Sequence, residues 1–307
     1  MDARASNLLV GTLCYLFASI FWGLNIPLTA ELLKVFDTFW LTLARYLFAA
    51  TLLGAMVAAS WGPGALRAPI AGPRVAALGL CVGAFLVCFT GGLMLSHPVT
   101  AAAVIAGSPV YVAIVSRWMT RAPLAKGFVP ATALTVIGAG IATAGRADGG
   151  LGFRGGELLL VFALACWTVY SILAQRWFEP AVPQLRRTWL SSVAAFWLAA
   201  RATGLAGAPN LDPDARSIAY LLATALLSTA LSTVAWNIGV SRLGIAVGGL
   251  WQNTVPVFAV LISLAFFGVV PTGTQVLGGA VVLAGVAIMQ WHSIRATRAL
   301  PRPAAAR

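Results

Sequence analysis

The sequence predicts an all-α integral membrane protein in which ten transmembrane helices form two inverted five-helix repeats around a central cavity. Three observations lead to this fold class. Of the 307 residues, 60% are hydrophobic and only 9% are charged, whereas soluble domains carry about 25% charged residues. Ten apolar stretches are close to the roughly 20 residues that cross a bilayer. Two of these stretches also resemble each other in sequence.

The predicted spans fill almost the whole chain. They are centred, in order, near Ile20, Phe48, Phe85, Ser108, Val136, Ala165, Phe196, Leu227, Val257 and Leu283. The first span is long and no convincing small-residue cleavage site follows it, so we expect it to stay in the protein rather than to be a cleaved signal. The loops between spans are short. Any function must therefore be built inside the membrane from side chains on facing helices.

Basic residues predict the orientation of the spans. With the N-terminus inside, fourteen lie on the inner side: Arg4, Arg67, Arg74, Arg117, Arg121, Lys126, Arg176, Arg186, Arg187, Arg242, Arg295, Arg298, Arg302 and Arg307. Five lie on the outer side: Lys34, Arg146, Arg154, Arg201 and Arg216. This bias places both termini in the cytoplasm. Since the charges follow membrane topology and do not cluster on one surface, the net charge of +12 does not indicate nucleic-acid binding.

An internal duplication is centred on two prolines. The segment from Pro109 to Ser116 returns from Pro256 to Ser263, and 256 − 109 = 147 residues separate the copies. Proline removes a backbone donor and bends or interrupts a helix within a span. We therefore predict that Pro109 and Pro256 are hinges, because paired interrupted helices in two halves are typical of transporters.

Further matches extend the repeat. Gly138 and Gly285 are also 147 residues apart, while Trp22 and Trp167 are 145 apart. Five spans per copy is an odd number, so the second copy must enter the membrane from the opposite side. We predict a first repeat over residues 1–147, a second over 148–292 and a basic cytoplasmic tail over 293–307. The join lies in the polar, glycine-rich segment 145–156.

Small residues predict close packing between helices. Gly79 with Gly83, and Gly244 with Gly248, have the GxxxG spacing that lets helix backbones approach. Gly138 with Gly140, and Gly278 with Gly279, provide only local small patches. We expect these residues to pack within a monomer, although such faces can also form the contact surface of a dimer.

Ionisable groups are nearly absent from the spans. No Asp or Glu lies near the centre of any span, so a proton cycle based on a buried carboxylate is hard to build. Glu157, which opens the sixth span, is the nearest candidate carboxylate, but at a helix start it also complements the helix dipole and faces headgroups. Arg45 is the one charge clearly inside a span. It could pair with a substrate carboxylate, snorkel to the interface, or bond carbonyls where the first helix ends.

Polar and aromatic residues near the span centres predict a substrate site. They are Trp22 and Asn25 in the first span, Arg45 in the second, Phe85 and Phe89 in the third, Tyr111 in the fourth, Trp167, Tyr170 and Ser171 in the sixth, and Trp251, Gln252 and Asn253 in the ninth. Helical spacing places several of them on common faces. The alternative is an interfacial aromatic belt, which we accept for the span-end residues Trp61, Trp118, Trp177 and Trp291.

No cofactor, metal or catalytic site is expected. The four cysteines lie in apolar runs without a close pair. An intramembrane enzyme would have to use Ser108 and His97, which are 11 residues apart and lack a GxSxG elbow. A passive channel would suit the low charge, but the paired bent helices favour gating by the two halves.

These features resemble the EamA-type branch of the drug/metabolite transporter superfamily. The likeness rests on Phe21-Trp22-Gly23-Leu24-Asn25, Ala44-Arg45-Tyr46-Leu47, the two proline spans and the Gly138 region. Within that branch the chain looks most like the bacterial aromatic amino-acid exporters. The resemblance implies alternating-access export of aromatic and other neutral amino acids across the bacterial inner membrane, with the small-molecule substrate and the lipid bilayer as partners. The alternative is a multidrug or other small-metabolite exporter of the same superfamily.

Overall fold

Ten helical segments of 13 or more residues lie within the described part of the chain, and they confirm an all-α multi-pass membrane protein with ten helices. The computed structural model describes residues 3–96, 101, 104–105, 107–121, 123–124, 126–144, 155–205, 207–209 and 212–299. The helices are α1 (Ala3–Leu32), α2 (Thr38–Trp61), α3 (Gly72–Leu95), α4 (Ser108–Thr120), α5 (Phe128–Ala144), α6 (Gly156–Arg176), α7 (Gln184–Ala202), α8 (Ala215–Leu243), α9 (Ile245–Phe267) and α10 (Gly273–Ala299).

Seven of these helices are long and apolar enough to cross a bilayer: α1, α2, α3, α6, α8, α9 and α10. The other three helices are either shorter or more highly charged, which explains why they are less clearly membrane-spanning. α4 and α5 contain 13 and 17 residues, and α7 carries arginines near both of its ends. His97, most of the predicted join (145–154) and the end of the predicted tail (300–307) lie outside the described residues.

The two spans that carry the repeated prolines, Pro109 and Pro256, are both interrupted. α9 consists of Ile245–Gln252 and Val255–Phe267, separated by a turn, and Pro256 is the second residue of the later half. Pro109 is likewise the second residue of α4, directly after a turn at Gly107. Proline is tolerated at the first turn of a helix because those N–H groups lack intrahelical acceptors. The interruption predicted from the sequence is therefore confirmed, whereas hinge motion stays a prediction.

The main helix contacts are preserved when the two halves are exchanged. α1 packs on α8 and α9, and correspondingly α6 packs on α3 and α4. α2 contacts α8 as well as α7, which in turn contacts α3. The fifth helix of one half, α5, packs on the fifth helix of the other, α10. When each helix is replaced by its counterpart in the other half, five helices away, every contact in this set becomes another contact of the set or stays the same.

Two of these pairs join a helix to its own counterpart, and both are antiparallel. Trp40, near the start of α2, bonds to the carbonyl of Gly207, which follows the end of α7, while Gly54, late in α2, lies against Trp189, near the start of α7. In α5 and α10, Gly138 lies against Gly278, and Gly285 lies against Ala131. Residue numbers rise along one helix as they fall along the other, so the paired helices run in opposite directions.

Glycine permits the α5–α10 contact. A methyl group on Gly138 would lie 2.7 Å from both the Gly278 carbonyl oxygen and the Val282 backbone nitrogen. Backbone atoms cannot move aside as a side chain can. Gly138 is therefore more than the local small patch expected from the sequence, and its partner lies in the other half of the chain. The predicted GxxxG face in α3 is also packed, with Gly79 against Ala194 and Gly83 against Leu198.

We predict that Gly138→Ala destabilises the protein by about 1–3 kcal/mol through overpacking. Gly140→Ala is the matched control, because a methyl group on Gly140, two residues away in the same helix, meets none of the described residues within 4 Å. Unfolding in mixed micelles, followed by tryptophan fluorescence, measures both variants. Equal stability of the two variants would contradict the close contact.

Candidate functional site

The middle of α8 winds as a π-helix and is bonded to the first two helices. This π segment covers Thr224–Leu231. The Trp22 indole N–H donates to the Ser228 carbonyl (3.1 Å), and the Ser228 hydroxyl donates to the Phe21 carbonyl (2.6 Å). Arg45 donates through Nε and Nη2 to the Thr229 hydroxyl, at 3.2 and 3.1 Å. π segments occur frequently at functional sites because they displace the helix ladder locally.

Arg45 faces the protein interior. Leu41, Ala49, Leu53 and Val57 are buried, and Arg45 continues their four-residue spacing on the same face of α2. Two structural roles were considered for Arg45, snorkelling to the interface and bonding to carbonyls at the end of α1, and its bonds to Thr229 match neither. The guanidinium meets the π segment and not carbonyls at the end of α1, and it does not extend along a lipid-facing surface. Substrate binding by Arg45 stays a prediction.

Six aromatic residues from four helices form what we call the aromatic cluster: Tyr15, Trp22, Phe85, Trp167, Tyr170 and Trp236. Trp22 lies 5.7 Å from Trp167 and 5.2 Å from Trp236 between ring centroids. Trp167 also contacts Phe85 at 5.1 Å and Tyr170 at 5.3 Å. These are the distances of favourable aromatic pairs. Phe89 extends the cluster through Phe85, at 5.4 Å.

A polar network fixes one side of the aromatic cluster. The Trp236 indole N–H donates to the Ser171 hydroxyl at 3.0 Å. The Asn237 amide donates to the Tyr170 hydroxyl at 3.0 Å and to the Thr188 hydroxyl at 2.9 Å. Within the described part of the chain, the buried Trp167 Nε1 has no hydrogen-bond partner. The same holds for Asn237 Oδ1, so the cluster and its polar network retain one indole donor and one amide acceptor without a described partner.

A cavity of about 330 Å³ lies beside the interruption of α9. We call it the α9 cavity. Gln252, Asn253 and Pro256 line it at the interruption, Ile26 lines it from α1, and Gln275 lines it from α10. Among the described residues, the buried Gln252 Oε1 has no hydrogen-bond partner. The lining of the cavity is thus largely apolar, and Gln252 Oε1 is an acceptor within it that has no described partner.

The interruptions of the two proline spans meet each other. The Ser108 hydroxyl, next to Pro109, donates to Asn253 Oδ1 at 3.2 Å. Gly249 packs against the start of α4, and the Ser19 hydroxyl donates to the Trp251 carbonyl at 3.1 Å. α1 therefore runs from the α9 interruption, through Trp22 in the aromatic cluster, to Ile26 in the α9 cavity.

The predicted site residues are brought together in two groups and not around one cavity. Trp22, Phe85, Phe89, Trp167, Tyr170 and Ser171 belong to the aromatic cluster or its polar network, whereas Gln252, Asn253 and Pro256 line the α9 cavity. The rings of the aromatic cluster do not line the α9 cavity and instead contact one another. Asn25 accepts a bond from Thr29 in its own helix, and Tyr111 lies beside Gly107.

Trp236 is the main residue that sequence reasoning missed. It is almost completely buried and contacts Tyr15, Trp22 and Trp167. The repeat contains a signal that could have found it, since 236 − 89 = 147 residues separate Trp236 from the predicted site residue Phe89. Ser228 and Thr229 carry no comparable signal, because serine and threonine are spread through α8.

Comparison with known proteins identifies the family. The EamA-like transporter family matches residues 9–144 and, separately, residues 154–291. The chain belongs to this family. It is therefore a membrane transporter, and membership confirms the prediction that it is not an enzyme. The two matches also agree with a duplicated chain.

Individual relatives are more distant. This EamA-like transporter is 26% identical to the uncharacterised transporter YyaM of Bacillus subtilis (strain 168) over 206 residues, which are 66% of this chain and 67% of that protein. A solved crystal structure matches with a TM-score of 0.79 and 22% identity, covering 96% of this chain and 99% of its own. That likeness supports the fold and carries no information about the substrate.

Carboxylates in the spans of this EamA-like transporter lie at helix ends. Glu31 is in the last turn of α1, and Glu157 is in the first turn of α6. The expectation that Glu157 faces headgroups is wrong, since it is 3% exposed and accepts a bond from the Gly155 N–H. The expectation that Glu157 complements the start of the helix agrees with this bond, because its carboxylate satisfies a backbone N–H that would otherwise be unpaired.

We predict that Ser108→Ala lowers stability by about 1 kcal/mol, because it removes a buried hydrogen bond between the two interruptions. Ser116→Ala is the control, since Ser116 is a buried serine in the same helix, two turns away. Thermal unfolding of the detergent-purified variants measures the difference. Identical midpoints would mean that the bond contributes nothing.

Proposed function

We propose that this transporter exports aromatic and other neutral amino acids by alternating access across the bacterial inner membrane. One observation carries the proposal. The interior guanidinium and the aromatic cluster are attached to adjacent residues of the π segment, Arg45 to Thr229 and Trp22 to Ser228. A ligand that bridges them needs one anionic group and one apolar or aromatic group. An aromatic amino acid has both.

The remaining polar groups suit the rest of such a substrate. A carboxylate can form a two-point pair with a guanidinium, and an ammonium can lie over an aromatic ring. Gln252 and Asn253 offer amide groups at the α9 interruption, where they can bind a zwitterion. A sugar phosphate fits less well, because a phosphate calls for several cations and Arg45 is the one basic residue that the sequence places well inside a span.

Within the described residues, Arg45 uses only two of its three nitrogens in hydrogen bonds, in contrast to the buried Arg187 at the start of α7. Arg187 donates to the carbonyls of Val182 (2.9 Å), Glu179 (2.8 Å) and Ala174 (3.2 Å). These bonds close the α6–α7 loop and engage all three of its nitrogens. Arg45 meets a single hydroxyl through two nitrogens. We assign Arg187 to structure and Arg45 to the substrate carboxylate.

The pairing of the helices supports two inverted repeats, 1–147 and 148–292. Exchanging the halves preserves the contacts, and the self-paired helices α2–α7 and α5–α10 are antiparallel. A twofold axis that relates antiparallel helices lies in the membrane plane, so it turns one half upside down relative to the other. Such halves can exchange conformations and open a shared site to each side alternately. In this proposal both termini lie in the cytoplasm and net transport is outward.

Energy coupling does not use a carboxylate-based proton cycle in this proposal. The carboxylates of the described spans lie at helix ends, and Glu157 already accepts a backbone bond there. Substrate movement therefore follows its own gradient. A multidrug exporter is the second candidate, favoured by the largely apolar lining of the α9 cavity. A bulky cationic drug would lack a central carboxylate partner, whereas an amino acid would not need one.

We predict counterflow of labelled phenylalanine, tyrosine or tryptophan in proteoliposomes, unchanged by a pH step. Flux of bulky cations that responds to the pH step would support the multidrug candidate. If none of a panel of neutral amino acids is transported, the proposed substrate class is wrong.

Arg45→Gln is expected to weaken apparent affinity for phenylalanine about 10- to 100-fold, since it removes a charge-assisted pair. Phenethylamine, which lacks the carboxylate, should compete equally with wild type and variant. Arg216→Gln removes the same charge from an exposed position and controls for net charge. A similar loss for the acid and the amine would assign Arg45 a structural role.

The double variant Trp167→Ala/Trp251→Ala is expected to abolish amino-acid counterflow, because it removes ring surface from the aromatic cluster and from the α9 interruption. Trp61→Ala/Trp118→Ala removes the same side chains from positions that are 50% and 80% exposed and should transport normally. Folding of both variants is checked by size-exclusion chromatography. Unchanged transport by a folded Trp167→Ala/Trp251→Ala variant would exclude these residues from the site.

A further inference from the structure

A second concave surface lies between α4 and α5, away from the site described above. It encloses about 510 Å³ and is lined mainly by Val110, Ala113 and Ile114 of α4, and by Val129, Ala133 and Ile137 of α5. We call it the α4–α5 groove. Ile114, Val129 and Ile137 are more than half exposed. Thr132 is the one polar residue in its lining, and the hydroxyl of Thr132 is buried. The surface that this groove offers to the bilayer is apolar.

The groove runs along α4 and α5 and ends among basic residues. Its lining on α5 extends from Phe128, at the start of the helix, to Ile137. At 1.5 Å per residue, these nine steps span about 13 Å, which is roughly half of a hydrocarbon core about 30 Å thick. The end at Phe128 borders the α4–α5 loop, where Leu124 also contributes to the lining.

The cations continue the apolar stripe of α4. Val110, Ile114, Arg117 and Arg121 are separated by four, three and four residues, so they share one face of the helix and its C-cap. Lys126 lies on the other side of the loop, two residues before α5. All three cations are exposed, and within the described residues none of them pairs with a carboxylate.

We propose that the α4–α5 groove binds one anionic phospholipid, with its phosphate held by Arg117, Arg121 and Lys126 and an acyl chain lying between α4 and α5. The shape and the charge point to the same ligand. The apolar channel matches an acyl chain in depth, and the cations lie where the headgroup of that chain would be. Basic sites between transmembrane helices at the cytoplasmic side select anionic headgroups in this way.

Other occupants match fewer of these features. A zwitterionic phospholipid fills the groove equally well but offers no net charge to the three cations. A second copy of this chain would bring the same cations toward each other in a symmetric contact, and like charges there oppose association. The proposal concerns a lipid and does not depend on the transported substrate.

Native mass spectrometry of the full-length protein tests it, with dioleoyl phosphatidylglycerol and dioleoyl phosphatidylcholine as probes that share the same chains. Each cation near an anionic headgroup favours binding about fivefold, so three give a preference for phosphatidylglycerol on the order of 100-fold. We expect one tightly retained phosphatidylglycerol per protein. The combined variant Arg117→Gln/Arg121→Gln/Lys126→Gln should bind the two lipids alike.

Two matched controls test the location. Arg67→Gln/Arg74→Gln/Arg176→Gln removes three exposed cations predicted to lie on the same side of the membrane and should keep the preference. Ala133→Trp fills the groove and should release the retained lipid, whereas Ala76→Trp, at an exposed alanine near the start of α3, should not.

Three results would overturn the proposal. They are equal retention of both lipids by the wild type, equal loss of preference in the two charge-removing variants, and a dimer in which Ala133→Trp yields monomers without changing lipid retention. The last result would place a second copy in the groove. Because the assay measures retained lipid and no flux, failure of the lipid site would leave the amino-acid proposal standing, and the reverse also holds.

Discussion

Backbone polar groups inside a bilayer have no water to bond, so an interrupted helix is tolerated there only where protein covers the interruption. The turn in α9 meets this condition through local bonds: the Asn253 and Thr254 N–H groups donate to the Leu250 and Trp251 carbonyls. The π segment of α8 meets it through its neighbours, because Trp22 satisfies the Ser228 carbonyl and Ser232 donates to the Leu227 carbonyl. Irregular backbone thus collects at these buried contacts, and the proposed binding groups collect with it.

The same constraint explains the position of the aromatic cluster. Trp22 supplies an indole donor to the π segment and a ring to the cluster, so the irregular backbone and the packed rings share one residue. Ser171 has a similar double role, since it donates to the Trp167 carbonyl and accepts from the Trp236 indole. Polar groups that are satisfied in low dielectric specify one arrangement of their neighbours. The rings are held in place as much by these bonds as by contact area.

Much of the fold follows from hydropathy and proline placement. The ten span centres fall within the ten helices or, for Ser108, at the start of α4, because membrane crossing depends on length and apolar content. The interruptions follow from Pro109 and Pro256, which act locally. The π segment does not follow, since its sequence TALLSTAL would also suit an α-helix. Its extra residue is stabilised by Arg45, Trp22 and Ser228 from contacts between distant parts of the chain.

The site was harder to predict for the same reason. Periodicity places Trp167, Tyr170 and Ser171 on one helix face, but it does not say whether that face meets a cavity or another ring. Trp236 decides the outcome by covering Trp167. Gln252 and Asn253, in contrast, lie at an interruption that leaves space beside it, and this interruption can be read from the following proline.

The glycine contact between α5 and α10 has a mechanical consequence. Where Gly138 meets Gly278 and Gly285 meets Ala131, backbone touches backbone with no rotatable side chain between. Such a surface cannot re-form in a second arrangement by changing rotamers. The two helices therefore move together as one rigid body that joins the halves. Gly92 and Gly156 make a similar backbone contact between α3 and α6, so rearrangement is left to surfaces filled by longer side chains, such as that of α1 with α8. The sequence thus separates stiff contacts from adjustable ones by the volume of the side chains.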